Sequence, residues 1–335
     1  PLLRSVISSA SNDHRLGANE APPAILSVYL GDQLETIFEG IKNGKLAPTD
    51  DGGVMDLGLS QIINFKRDSG DRNRTSPFAF TGNRFEFRAV GSSQSVSGPL
   101  IAMNTMLADS LDWIAEKLDA ALKEGTDKTS AVISVLKELL SLHGSAIFGG
   151  DGYSSEWHEM AVKERGLKNL PTTADALPHL KDEAIIKLFD STGVLTPLEL
   201  ESRYEVYAEQ YLLSIEVEAK LVVNMAKTLI YPAAITYLSD LAEAGTGMKN
   251  LGITLDDTTA KIIAAEANAM IAAVDALSEA MEKEDFSSTD EHMQYAATTI
   301  RTLMDNVRAH ADTLENEVSD MLWPLPKYQE MLFMK

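Results

Sequence analysis

The spacing of apolar residues changes character partway along the chain. Over the first hundred or so residues it is irregular: residues 24–30 and 84–90 alternate in a way that predicts strands, and residues 33–42 predict a short helix. In the second of these strands a period of two puts Arg84, Glu86 and Arg88 on one face and Phe85 and Phe87 on the other. One face then carries charge and the other faces a core. From residue 100 to 122 the period lengthens. Leu100, Met103, Leu107, Leu111, Ile114, Leu118 and Leu122 make one apolar face of an amphipathic helix.

Beyond that helix the pattern is almost wholly helical. Thr196-Pro197-Leu198-Glu199 combines an N-cap threonine, a proline at the first helical position and a glutamate at the third, which together start a helix. Tyr204, Tyr207, Tyr211, Ile215, Val222, Met225 and Leu229 follow at helical spacing and predict a long seam against partner helices. Capping boxes at Thr254-Leu255-Asp256-Asp257 and Ser288-Thr289-Asp290-Glu291 predict two more long helices, and the three are expected to pack as an antiparallel bundle. The fold class is therefore α+β: a strand-containing first part over residues 1–125 and a helical second part over 126–335.

Charge changes this picture at one place. The chain carries a net charge of −21, yet residues 66–88 hold six basic residues (Lys66, Arg67, Arg72, Arg74, Arg84, Arg88) against three acids (Asp68, Asp71, Glu86). Such a local reversal marks an anion site, since the planar guanidinium fork matches phosphate and carboxylate oxygens and stays charged at any working pH. The other reading is an ion-pair ladder on a half-exposed strand, which contributes little to stability. Two further polar segments favour the site. One is the run from Gly70 to the stop at Pro77, and the other is Arg15-Leu16-Gly17-Ala18-Asn19-Glu20, closed by Pro22 and Pro23 and read as a loop. A turn is expected at Asp50-Asp51-Gly52-Gly53.

These segments resemble one family, the type III glutamine synthetases. Residues 12–23 resemble its flap, Arg72-Asn73-Arg74 its Arg-Asn-Arg motif, and residues 84–88 its Arg-x-Glu-x-Arg strand; residues 150–154 and 165–167 resemble its C-terminal region. The fold this implies is the C-terminal portion of the catalytic β-sheet, or half-barrel, followed by a mostly α-helical bundle. In the family, ATP phosphorylates the γ-carboxylate of glutamate and ammonia attacks the acyl phosphate. By that resemblance Arg15 binds a glutamate carboxylate, together with Arg74 and Arg88. Glu20 closes the site and takes a proton from ammonium. Arg74 and Arg88 face the transferred phosphoryl group, Arg74 and Arg84 contact nucleotide phosphates, and Glu86 binds Mg²⁺ or Mn²⁺. The helix over residues 100–122 is implied to pack on the catalytic sheet. Ala79 departs from the pattern, standing where the shorter classes carry a further arginine.

The resemblance also implies what lies outside the chain. The family's other metal-binding glutamates, its metal-binding histidine and its main ammonia-site aspartate belong to segments before the flap. A longer polypeptide is therefore expected, with residues 2–11 as the tail of a helix already under way and the missing N-terminal half as a partner. A two-metal site needs several carboxylates, so this chain holds part of an active site. The implied assembly is a large homo-oligomer of stacked rings, a dodecamer. Two alternatives remain open: a ligase joining glutamate to another amine, and a non-catalytic helical assembly or regulatory part.

Composition excludes several classes. With no cysteine there are no disulfides or thiolate zinc sites, which fits a reducing compartment and a cytoplasmic location. No unbroken apolar run approaches the roughly 18 residues of a membrane span, so no membrane partner is expected. The negative charge would repel nucleic acid. His14, His143, His158, His179, His292 and His310 show no metal-ligand spacing, and Gly149-Gly150-Asp151-Gly152 lacks the lysine of a phosphate loop and reads as a turn before a helix.

Overall fold

The strands of the first part are much shorter than their apolar pattern. In the computed structural model, which describes residues 1–18, 21–44, 54–55, 65–66, 76–89, 91 and 94–332, five strands form: β1 (Val28–Tyr29), β2 (Val54–Met55), β3 (Phe65–Lys66), β4 (Phe78–Phe80) and β5 (Phe85–Phe87). β4 pairs antiparallel with β5 and parallel with β1, in the order β1-β4-β5, while β2 and β3 pair with each other. Gly82, at φ +96°, lets the β4–β5 hairpin turn, which Thr81 N–H closes on Arg84 O at 2.9 Å. The expected turn at residues 50–53 lies outside the described residues.

Two compact units make up the chain, Pro1–Tyr207 and Ala208–Lys335. The boundary expected between residues 125 and 126 falls inside the first unit, in the turn after the long Ser97–Lys123 helix.

In the first unit, residues 2–11 are not one helical tail. Ser9 is extended and its hydroxyl accepts from Asn12 N–H, so the helix Leu2–Val6 ends and a second, Ala10–Arg15, begins. Arg4 is buried at 1% exposure. Its Nε donates to Leu170 O at 2.8 Å, Nη1 to Ser8 Oγ at 2.9 Å and Nη2 to Pro171 O at 3.3 Å. Burial lowers its pKa from the usual arginine value, opposed by the charges of Asp13 and Asp175. Ser5 Oγ–H reaches Ala176 O at 2.6 Å, and Thr173 donates to Asp13 Oδ1 through its N–H at 2.7 Å and its hydroxyl at 2.8 Å. Residues separated by some 160 positions are thereby pinned together through polar groups that leave few orphans.

The Ser97–Lys123 helix forms as expected, with Met103, Ile114 and Leu118 of the expected face half-buried, but its fully buried positions lie elsewhere. Its packed positions are Ala102 and Thr105, and Gly98 lies so close to the first helix that a Cβ there would sit 3.2 Å from Val6 O. Leu100, Leu107, Leu111 and Leu122 are 53, 58, 55 and 44% exposed. An amphipathic pattern says which face is apolar, not whether a partner covers it; here the small-residue face allows the close approach and the leucine face is open.

The second unit is a helical bundle. Thr196 and Glu199 cap each other and start the helix Pro197–Met225, which continues through a π-turn, Ala226–Ile230, into Tyr231–Asn250. Pro232 has no N–H to donate, and the wider turn before it accommodates that loss. Tyr204, Tyr211 and Ile215 of the expected seam are 2% exposed, but Leu229 is 39% exposed because the π-turn rotates it off the seam.

The next helix starts at Thr258 rather than at Thr254, with Asp256 accepting from the Thr258 N–H at 3.1 Å and hydroxyl at 2.7 Å. Ser288 Oγ accepts from Glu291 N–H and starts the third helix as expected, but the Glu291 carboxylate accepts from Ser287 rather than closing the box on Ser288; this helix too passes through a π-turn, Ala296–Ile300, before Arg301–Glu317. Tyr295 Oη–H to Ala280 O at 3.0 Å and His310 Nδ1 to Glu266 at 2.7 Å pair rising with falling numbers, so these helices run antiparallel. The continuous helix Pro197–Asn250 contains an 18-residue window of mean hydropathy 1.3, long and apolar enough to cross a membrane, with 22% of that window buried. Asn, Thr and Pro interrupt its apolar runs without adding charge, so a count of unbroken runs passes over it.

Arg4→Ala should lower stability by about 3 kcal/mol, since it leaves two buried acceptors and one part-buried acceptor without their charged donor. Urea denaturation followed by circular dichroism measures this, and Arg4→Lys should recover only part of the loss.

Candidate functional site

The β4–β5 hairpin builds the site by alternation. Phe85 and Phe87 meet Phe78 and Phe80 across the strands, with ring centroids 5.2–6.2 Å apart, so the aromatic face exists. It is only half covered, Phe85 being 47% exposed, which corrects the expectation of a full core face.

On the opposite face Glu86 stands between the two arginines. Arg84 grips Glu86 Oε1 through Nε at 3.1 Å and Nη2 at 2.9 Å, while Arg88 Nη2 lies 3.5 Å from Oε2. Exposure falls along the strand, with side chains 72% exposed for Arg84, 34% for Glu86 and 23% for Arg88. The inner guanidinium is thus partly desolvated, and the backbone N–H of Arg88 donates to Pro77 O at 2.8 Å, which extends the strand pairing. Ala79, fully buried, is the cross-strand partner of Glu86. An arginine at that position would face the same carboxylate.

The remaining expected residues divide. Arg15 is the last residue of the Ala10–Arg15 helix rather than part of a loop, and among the described residues it is not one of the guanidiniums gripping Glu86. Glu20 and Arg74, with Arg72 and Asn73, lie outside the described residues. After Arg15 the described residues on either side of 19 and 20 bond to each other. Gly17, at φ +75°, donates to Pro22 O at 3.0 Å, and Ala21 N–H donates to Ala18 O at 3.0 Å.

Tyr153 holds this turn from outside, donating from Oη to Ala21 O at 2.5 Å. The sequence pattern did not single out Tyr153, though it lies in the Gly-Asp-Gly-Tyr-Ser run read as a turn. That turn is present: Asp151 Oδ1 accepts from Tyr153 N–H at 2.9 Å and Ser154 caps the helix Ser155–Lys163. Its role is to aim the tyrosine. Beneath it Ile25, Trp157 and Ala161 form a core, with Phe148 stacked on Trp157 at 3.6 Å and the Arg165 guanidinium 5.1 Å from the Trp157 ring. Phe148 N–H donates to Val28 O at 2.9 Å, tying this core to β1 and so to the sheet.

A divalent ion would need more than this. Glu86 offers hard oxygens, but both face guanidiniums, and among the described residues no three His, Asp or Glu side chains gather as a cage. His179 and His310 are instead paired with Asp182 and Glu266, each at 2.7 Å. The described residues alone do not fit a metal centre; Glu86 qualifies as one donor in a larger set. What the hairpin does present is two fixed cations about a single carboxylate. A polyanion can bind there by competing with that carboxylate.

A model of the glutamine synthetase C-terminal domain matches residues 131–249. Along its whole length the chain is 40% identical to the type-3 glutamine synthetase of Dictyostelium discoideum and 37% identical to a glutamine synthetase of Bacteroides fragilis, covering 46% and 47% of those proteins. Over 99% of its length it is 35% identical to a glutamine synthetase of Butyrivibrio fibrisolvens, covering 48% of it. The chain belongs to the glutamine synthetase family. Within that family it is a C-terminal part of the type III kind, and it spans about half the length of the curated relatives it matches.

Tyr153→Phe should loosen the turn after Arg15 without unfolding the unit. Hydrogen exchange should show the Gly17 and Ala21 amides opening about fivefold more readily, with the amides of Ser155–Lys163 unchanged.

Proposed function

We propose that this chain forms part of the active site of a glutamate–ammonia ligase, with its catalytic partner residues on the polypeptide that its relatives have and this chain lacks. The observation that carries the reading is the Arg84–Glu86–Arg88 face, where two guanidiniums are held about one carboxylate on an acidic protein. Whole-length similarity to glutamine synthetases supports it.

In this reading ATP transfers its γ-phosphoryl group to the side-chain carboxylate of glutamate. Arg88, the less exposed cation, stands with Arg74 at the transferred group, and Arg84 meets the nucleotide phosphates, also with Arg74. Charge spreads over the equatorial oxygens as the bond to ADP breaks, and fixed guanidiniums stabilise that charge without reorganising. Arg15 orients the glutamate through a carboxylate. Glu20 covers the acyl phosphate against water and accepts a proton from ammonium, and the ammonia released attacks the acyl carbon and expels phosphate. The Mg²⁺ or Mn²⁺ implied by the family resemblance would find one oxygen donor here, Glu86, with its other ligands on the absent polypeptide. The open leucine face of the Ser97–Lys123 helix fits a seat for that same polypeptide. A ring-shaped homo-oligomer in the cytoplasm, without nucleic acid or membrane partners, completes the proposal.

Co-expression of this chain with the upstream half of its own protein should yield glutamine from glutamate, ammonia and ATP, and the chain alone should yield none. Glu86→Gln should lower the rate by about two orders of magnitude while the two parts still copurify. Full activity in that variant, or preference for an alkylamine over ammonia, contradicts the reading.

A further inference from the structure

In the second unit a cavity of about 310 Å³ opens between the Pro197–Met225 helix and the residues that join the helices Thr258–Ala280 and Thr289–Tyr295. One wall of it is aromatic. Phe286 stacks on His292 with ring centroids 4.2 Å apart, and Tyr295 is tilted against Phe286 at 5.3 Å. The rings are held in place: Tyr295 donates to Ala280 O, and the Glu291 carboxylate accepts from Ser287, the residue after Phe286, through its N–H at 2.8 Å and its hydroxyl at 2.5 Å. Burial lowers the pKa of His292, opposed by the Glu216 charge, so at neutral pH this ring adds no cation of its own.

The wall already carries a cation. The Lys283 ammonium lies 4.8 Å from the Phe286 centroid and 4.6 Å from that of Tyr295, close enough for the negative faces of both rings to attract it. Lys283 is itself exposed, on a short connection between helices, so its ammonium is a tethered guest. Glu216 and Glu284 line the same cavity, and Lys220, the other cation in the lining, is paired with Glu216. With Lys283 swung out, two acids face one lysine. An anion would meet those acids, and an uncharged guest would draw nothing from the charge of the ring faces. Ile215 and Ile300 add apolar surface to the lining, which suits a cation clothed in methyl or methylene groups better than a strongly hydrated bare ion.

We propose that this cavity binds a small organic ammonium ion, with Phe286 and Tyr295 receiving its charge in place of Lys283. The site lies wholly in the second unit, whereas the residues of the ligase reading lie in the first, so it holds or fails without that reading.

Isothermal titration calorimetry of choline into the 335-residue chain tests it, alongside dimethylbutanol, the uncharged carbon isostere of choline. Choline should bind about tenfold more tightly than the alcohol. Lys283→Met keeps an unbranched stem without the charge and should tighten choline binding about fivefold by removing the tethered competitor. Phe286→Leu keeps apolar bulk without a ring and should weaken it about fivefold, circular dichroism staying constant in both variants. Adding the upstream half of the protein should leave the affinity unchanged. Equal affinity for the alcohol, no binding of choline to the wild type and Lys283→Met, unchanged or weaker binding in Lys283→Met, indifference to Phe286→Leu, or loss of binding when the upstream half is added would each overturn the proposal. Capture of the chain by phosphatidylcholine vesicles would overturn it too, by assigning the site to a lipid head group.

Discussion

Alternation of side chains along a three-residue strand is the constraint on which the site depends. Because β5 is paired with β4, Arg84, Glu86 and Arg88 must share a face, and Glu86 must stand between two guanidiniums that would otherwise repel each other. Exposed ion pairs of this kind add little to stability. Their consequence is positional: the carboxylate holds the two cations on one side of the hairpin. Ala79 completes the arrangement from β4. Small and fully buried, it adds no third guanidinium opposite Glu86.

The hairpin is aimed by its surroundings. β1 joins it to the Phe148–Trp157 stack, and that stack sits under the turn that orients Tyr153 toward Ala21. Segments far apart in sequence, residues 21–23, 78–88 and 147–157, therefore belong to one frame within the first unit. Arg4 secures the N-terminal end of that unit by donating to carbonyls at residues 170 and 171. Three roles for arginine coexist in the unit: a buried strut at Arg4, a cation on aromatic rings at Arg165, and a pair flanking β5 about Glu86.

The sequence was most legible where local chemistry decides the outcome. Thr196–Glu199 and Ser288–Glu291 cap helices as their residue types dictate, and the period of two in Arg-Phe-Glu-Phe-Arg is realised on β5. It was least legible where the outcome depends on distant partners. The leucines of the Ser97–Lys123 helix signal an apolar face, but no local rule says that Ala102 and Thr105 will be the covered positions. Leu229 leaves its seam because a π-turn adds a residue to the rotation, and Thr254 loses the cap to Asp256. Tyr153 and Arg4 act on carbonyls more than 130 residues away, a relation that no spacing encodes. Resemblance reached further than pattern for the site, since it named residues before their geometry was known; Glu20 and Arg74, among those names, lie outside the described residues.

The central claim is that β5 presents its two arginines to a polyphosphate. Phosphorus-31 NMR of ADP titrated into the two-part protein tests it most directly, because the shift of each phosphate reports its own surroundings. The account predicts that the β-phosphate resonance shifts and broadens with the wild type, and that Arg84→Met abolishes this while leaving the chain folded. An unchanged β-phosphate response in Arg84→Met would show that the nucleotide is held elsewhere and would contradict the account.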